Sequence, residues 1–225
     1  MGLLKKMFML AFLVILTWVG LTFYSGWQMY EDALAACPLE EKVAQTTAQE
    51  NFTTLDQLPE VYLDAVLAVE DRSFYGHHGF NLRSTGRALI RNFQEKDLVE
   101  GGSTITQQLA KIWYFDLDKK FDRKVAELLM AFNIEEHYTK KEILEFYLNS
   151  IYFGSGYYNV YDASMGYFGK VPAEMNDYEA TLLAGIPNAP SVYSPDVNPD
   201  LAEQRRQQVL TCMAEAGYIE PGEIE

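Results

Sequence analysis

Hydrophobic positions fall into one long unbroken run and then a series of short runs at helical spacing. Residues 7–30 carry no charged side chain. As a helix they rise on the order of 36 Å, enough to cross a hydrocarbon core of ~30 Å. Lys5 and Lys6 precede the run and Glu31 and Asp32 follow it. The positive-inside rule therefore keeps the short N-terminus in the cytoplasm and exports the rest. Trp18, Phe23, Tyr24, Trp27 and Tyr30 crowd the outer half, as an interfacial belt does. The run is longer than the apolar core of a signal peptide. Leu34-Ala35-Ala36-Cys37 has the look of a lipoprotein cleavage box, but Glu31 and Asp32 separate it from the run. Residues 1–30 thus read as a cytoplasmic tip with an uncleaved, single-pass anchor. Residues 31–53 are polar, without a strong period, and read as a juxtamembrane linker. Residues 54–225 form the exported domain.

Start and stop signals in that domain are helical. Pro59 suits a first turn before Val61, Ala65, Val66 and Val69. Leu82, Leu89, Ile90 and Phe93 predict a second helix. Thr104 with Gln107 is a capping box opening a third. Phe121, Val125, Leu128, Leu129 and Phe132 make the apolar stripe of a fourth. Thr139 with Glu142 caps a helix through Leu148, and Asn176 with Glu179 caps one closed by Gly185 and Pro187. Asn198-Pro199 opens the last, ended by Gly217. Alternating strand patterns are scarce, so the fold class is mainly α.

Composition narrows the function. With 18 basic and 32 acidic residues the formal net charge is −14, which disfavours a general nucleic-acid binder. Two distant cysteines, Cys37 and Cys212, make neither a zinc cluster nor a disulfide framework. Charge is uneven: nine basic and six acidic residues between Arg83 and Lys124 give a local +3, against −17 elsewhere. Spacing alone leaves that block open between ordinary solvated helix faces and a local anion site.

Three segments carry candidate chemistry. Glu70-Asp71 follows an apolar run and precedes aromatics; desolvation there would raise a carboxylate pKa and make a better base. In Glu100-Gly101-Gly102-Ser103-Thr104-Ile105-Thr106-Gln107-Gln108, two glycines lead into a helix start whose free N–H groups and dipole suit an anion, with Lys111 two turns on. Arg123 and Glu127 are i,i+4 on the fourth helix, away from its apolar stripe: a surface ion pair, or part of a cleft with Lys111. Absent are Ser-x-x-Lys, His-Glu-x-x-His and a dinucleotide-binding glycine pattern.

Five ordered blocks carry a resemblance. They are Glu70-Asp71-x-x-Phe74-x-x-His77-x-Gly79, Gly101 through Lys111, Arg123-Lys124-x-x-Glu127, Glu142 through Asn149, and Leu183 through Ser191. Together, from about Leu58 to Met213, the chain resembles the peptidoglycan glycosyltransferases of glycosyltransferase family 51. These occur as monofunctional enzymes and as the transglycosylase domain of class A penicillin-binding proteins. The resemblance implies a lysozyme-like, mainly α fold with a membrane-proximal jaw. It implies polymerisation of lipid II into β-1,4-linked glycan strands on the outer face of the cytoplasmic membrane, with release of undecaprenyl pyrophosphate. By that resemblance Glu70 is the general base, while Asp71, Phe74 and His77 shape the acceptor site. Thr104, Gln108, Lys111, Arg123 and Glu127 line the donor pyrophosphate site, and Ser103 and Gln107 also bind substrate. Glu127 either holds a metal or assists the leaving group. No essential cofactor is implied, with a divalent cation such as Mg²⁺ left open. The implied partners are lipid II, the growing lipid-linked glycan, the membrane, and cell-wall synthesis proteins including transpeptidases. Without transpeptidase motifs, the chain reads as monofunctional or as the front part of a longer protein. A lysozyme-like hydrolase needs no pyrophosphate site, and a catalytically silent scaffold needs neither Glu70 nor the cations. Asn159 stands where many members have Gly; Asn tolerates left-handed backbone, so the turn is expected to survive.

Overall fold

The computed structural model describes residues 3–82, 85–86, 102–115, 121–220 and 222–224. The expected second helix at Leu89, Ile90 and Phe93 lies outside the described residues, as do Glu100, Gly101 and much of the basic block. Among the described residues the structure is helical, with one isolated bridge between His78 and Phe80 in place of strands.

The long apolar run forms α1 (Leu3–Ala36), whose most apolar stretch lies outside the packed domain. The polar linker expected over 31–53 is largely helical instead. α1 continues to Ala36, and Pro38 caps α2 (Leu39–Thr47). Leu39, Val43 and Thr46 sit at i, i+4 and i+7, and Leu39 and Thr46 are buried. Surrounding Glu40, Glu41, Lys42 and Gln45 hide that spacing in the sequence.

α3 (Glu60–Glu70) follows Pro59 and is sandwiched between α8 (Asp177–Gly185) and α10 (Pro199–Ala216). Tyr62, Ala65 and Val66 are buried there. α4 (Ile105–Tyr114) opens on Thr104 and packs on α5 (Phe121–His137) and α6 (Lys140–Leu148). α7 (Val160–Phe168) and the short α9 (Pro190–Tyr193) complete the layer. The capping boxes at Thr104, Thr139 and Asn176 all form. The core is continuous: Phe74, Ile105, Leu109, Met130, Ile134, Ile143, Leu144 and Leu183 are at most 1% exposed. Each such side chain contributes roughly 1.5–3 kcal/mol on burial.

Two local expectations change. The buried face of α5 is Ala126, Glu127, Met130, Ala131 and Ile134, not the stripe Phe121, Val125, Leu128, Leu129 and Phe132. That stripe is apolar because part of it meets the anchor: Trp18 packs edge-on to Phe121 with centroids 5.5 Å apart, and Val125 lies against Gly26. Asn159 is not a left-handed substitute for glycine. Its φ is −153°, and its side chain caps α7 by accepting from Asp162 N–H at 2.7 Å. Gly154, Ser155 and Gly156 take the positive φ values of that turn.

Candidate active site

Glu70 is the last residue of α3, placed there by a helix that ends as Asp71 turns to φ −161°. Its carboxylate is partly buried and accepts from Gln108 Nε2 at 2.6 Å. Gln108 is itself held, because Tyr147 O–H donates to its Oε1 at 3.3 Å. Burial pushes the Glu70 pKa above the ordinary carboxylate value. The Gln108 hydrogen bond and the positive charge of Arg205 pull it down, while Asp71 pushes it up; the net direction is upward. Burial, and then the charge of Glu70, hold the Tyr147 hydroxyl well above the usual phenol range, so it remains a donor.

Asp71 fastens two elements. Its Oδ2 accepts from His77 Nε2 at 2.9 Å and from Ile105 N–H at 3.2 Å. The second bond ties the end of α3 to the start of α4. Phe74 is 1% exposed, with Lys140 Nζ 4.3 Å above its ring. Asp71, Phe74 and His77 therefore brace the floor beneath Glu70 rather than present groups to solvent.

The start of α4 differs from expectation. Two of its first-turn N–H groups are engaged within the chain: Ile105 N–H is taken by Asp71 and Gln107 N–H by the Thr104 hydroxyl. Thr104 also donates to Gly79 O at 2.7 Å, and Gln107 Oε1 accepts from Thr104 N–H. Both residues are buried, at 2% and 3% exposure. Of the residues assigned to substrate, these two build the helix end. The carbonyl that Thr104 reaches belongs to a glycine at φ +76°, whose absent Cβ would lie 3.1 Å from Ala131 O.

Positive charge comes instead from side chains. Lys111 lies three residues past Gln108, hence on the same side of α4, and its side chain makes no hydrogen bond or ion pair among the described residues. On α5, Glu127 is 1% exposed between two cations. Arg123 Nε lies 2.9 Å from its Oε1, close but without hydrogen-bond alignment, and Lys124 Nζ donates to its Oε2 at 3.0 Å. Lys124 also donates to Ser103 Oγ at 2.8 Å, joining α5 to the loop before α4. Ser103 and Arg123 thus gather around Glu127, whereas Gln108 goes to Glu70.

A divalent cation fits this arrangement poorly. Both Glu127 oxygens face cationic side chains, and no cluster of three His, Cys, Asp or Glu forms among the described residues. A hard cation needs more oxygen ligands than that.

Three contributors escaped the sequence reading. Lys124 lies three residues before Glu127 in Arg123-Lys124-x-x-Glu127, and that spacing was its signal. Tyr147 is a core residue, 1% exposed, and nothing local points it to Gln108. Arg205 is buried in α10, donating to Gly185 O and Gln208 Oε1, and no local pattern links it to Glu70.

A desolvated carboxylate braced from below, a cationic cluster joined through Ser103 to the loop before the helix that holds it, and a long apolar N-terminal helix define a site with the parts for glycosyl transfer. The family model described as Transglycosylase matches residues 39–214. The chain belongs to this family, the lysozyme-like transglycosylases of glycosyltransferase family 51. It is 39% identical over 217 residues to penicillin-binding protein 1F of Bacillus subtilis (strain 168), covering 93% of this chain and 30% of that protein. It is 45% identical over 174 residues to penicillin-binding protein 1A of Aquifex aeolicus (strain VF5), covering 77% and 24%. With penicillin-binding protein 1A of Neisseria flavescens it shares 42% over 168 residues, covering 75% and 21%. The chain therefore spans less than a third of the length of these relatives.

Proposed function

We propose that the chain is a peptidoglycan glycosyltransferase that polymerises lipid II into β-1,4-linked strands by single displacement with inversion. Glu70 takes the proton from the 4-hydroxyl of the acceptor GlcNAc. That oxygen attacks the anomeric carbon of the lipid-linked donor, whose bond to pyrophosphate breaks. Undecaprenyl pyrophosphate leaves with the electron pair, and Lys111, Arg123 and Lys124 hold the charge that builds on it. The leaving group is good, so charge neutralisation matters more there than a strong acid. The acceptor hydroxyl is weakly acidic, so a base is worth about 10²–10⁴-fold in rate. Attack opposite the leaving group inverts an α-linked donor, as in inverting hydrolases. Glu127, buried between Arg123 and Lys124, orients the two cations. No step is routed through a metal.

The observation that carries this reading is the Gln108 bridge. The helix that positions Glu70 at 2.6 Å also presents Lys111, without a partner among the described residues, three residues on. The group that holds the base and the cation for the leaving group thus share one short rigid element. The anchor supports the same reading. Trp18 packs on Phe121 and the Tyr30 hydroxyl accepts from Asn133 Nδ2, so α5 rises alongside the outer half of α1. The cations then stand near headgroup level, where a lipid-linked pyrophosphate lies. Lys5 and Lys6 before the apolar run and Glu31 and Asp32 after it support an N-terminus inside and a domain on the outer face of the cytoplasmic membrane. The nascent strands need cross-linking, so transpeptidases are the expected partners.

Incubation with labelled lipid II, followed by separation of products by size, tests the proposal. Long glycan from the parent chain and none from Glu70→Gln is the expected result. Release of reducing ends from finished peptidoglycan, with lipid II untouched, would replace it with a hydrolase.

A further inference from the structure

α1 and α5 touch backbone to backbone at one place. Gly26 is buried, and a Cβ built there would lie 2.6 Å from Asp122 O, 2.6 Å from Val125 Cβ and 2.8 Å from Val125 Cγ1. No real side chain fits that space. The neighbouring residue sets the register: Ser25 O–H donates to Asp122 Oδ2 at 3.1 Å. Asp122 in turn accepts from Arg123 N–H through Oδ1 at 3.0 Å, so the contact reaches the first turn of α5 directly. Asp122 and Val125 flank Arg123 and Lys124, and Glu127 follows one half-turn later. By contrast, a Cβ at Gly20, two turns earlier in α1, would meet nothing within 4 Å.

We propose that Gly26 is a positioning residue for the cationic site. By letting the anchor backbone seat against α5, it fixes the distance of Arg123, Lys124 and Glu127 from Glu70 and their depth relative to the lipid. The inference rests on the reading of these cations as the pyrophosphate site, and extends the anchor from a tether to a part of the site's scaffold. Any side chain at 26 must drive the helices apart by about 1 Å to restore ordinary contact. A displacement of that size in a reacting geometry costs on the order of 10²-fold.

The test uses the full chain in micelles, with Gly26→Ala, Gly26→Leu and Gly20→Leu. Two quantities are read: the rate of lipid II polymerisation and the affinity for undecaprenyl pyrophosphate by competition. Gly26→Ala and Gly26→Leu are each expected to lose at least tenfold in both, leucine the more, and Gly20→Leu under twofold. Val125→Gly added to Gly26→Ala removes two of the three close contacts, Val125 Cβ and Cγ1, and is expected to recover part of the affinity although it weakens the helix, which a general folding defect would not do. If Gly26→Leu fails to fold, Gly26→Ala with and without Val125→Gly decides by the presence or absence of that rescue. Affinities at Gly26→Leu within twofold of Gly20→Leu overturn the inference, as does absence of rescue. A parent chain that binds undecaprenyl pyrophosphate but does not polymerise lipid II sinks the polymerase reading alone, and the affinity comparison still judges Gly26.

Discussion

Replacing Gln108 by Leu separates the tuning of Glu70 from its presence. Gln108 Nε2 donates to the Glu70 carboxylate at 2.6 Å, and this bond favours the ionised form against the burial that opposes it. A hydrogen bond to a charged group is worth about 1.5–3 kcal/mol. At about 1.4 kcal/mol per tenfold, its loss shifts the protonation equilibrium of Glu70 roughly 10- to 100-fold toward the acid. Only ionised Glu70 can accept the acceptor proton. The acid limb of kcat/KM against pH therefore moves to higher pH in Gln108→Leu. Below the limb, polymerisation falls by that same factor. Well above it, both enzymes hold an ionised base and the rates converge, apart from whatever Gln108 contributes to orientation. The assay is initial-rate polymerisation of labelled lipid II across a pH series. Tyr147→Phe, which frees the far end of Gln108, should move the limb the same way by less. An unmoved limb, or one displaced toward acid, refutes the assignment of Gln108 as the group holding Glu70 ionised.

Glu70→Gln should abolish polymerisation and stabilise the fold. The folded-state pKa of Glu70 is raised, so parent stability is lost as pH rises from the ordinary carboxylate value through the raised one. In thermal unfolding the variant's Tm should exceed the parent's at neutral pH, by about 2–4 °C per kcal/mol relieved, and match it in acid; a gap independent of pH contradicts this. Lys111→Ala should weaken undecaprenyl pyrophosphate binding by about 1–3 kcal/mol, measured by competition, with little change in Tm. Unaltered affinity removes Lys111 from the site. Thr104→Ala should cost about 0.5–2 kcal/mol of stability through the lost cap, read in denaturant or thermal unfolding. A neutral effect would show that Asp71 alone holds the start of α4.

The helices were legible wherever their signals were local. Capping boxes at Thr104, Thr139 and Asn176 announce helix starts within four residues, and each forms. α2 was not legible, since three inward residues among charged ones make too weak a period to separate from a linker. The apolar stripe of α5 was seen but assigned to the wrong neighbour. Spacing shows that Phe121 and Val125 share a face, not that the face meets α1. The site divides in the same way. Residue types with chemistry in ordered blocks marked Glu70, Lys111, Arg123 and Glu127. Which hydrogen bonds they make depends on contacts across 38 positions for Gln108 and Glu70, or 34 for Asp71 and Ile105. Thr104 and Gln107 looked like ligand-facing residues because a helix start that binds an anion and one that binds a carboxylate of its own chain share one sequence pattern. Here the anion is Asp71.

That substitution explains how the site can be both strained and rigid. Glu70 is held partly out of water, which costs stability where it stands. That cost cannot be relieved locally without losing a group needed by the proposed reaction. The compensation is built one layer below. Asp71 ties α3 to α4, Thr104 ties α4 to Gly79, and Phe74, Ile105 and Leu109 close the core beneath them. The residues in the first block after Glu70 are accordingly buried ones, selected for stiffness rather than contact. On the other flank, α5 turns one face to this core and another to the apolar helix α1, with Arg123 and Lys124 between the two. Its cations can be placed accurately only if both neighbours are fixed, which is why a small residue in the anchor belongs to the same physical argument as the base.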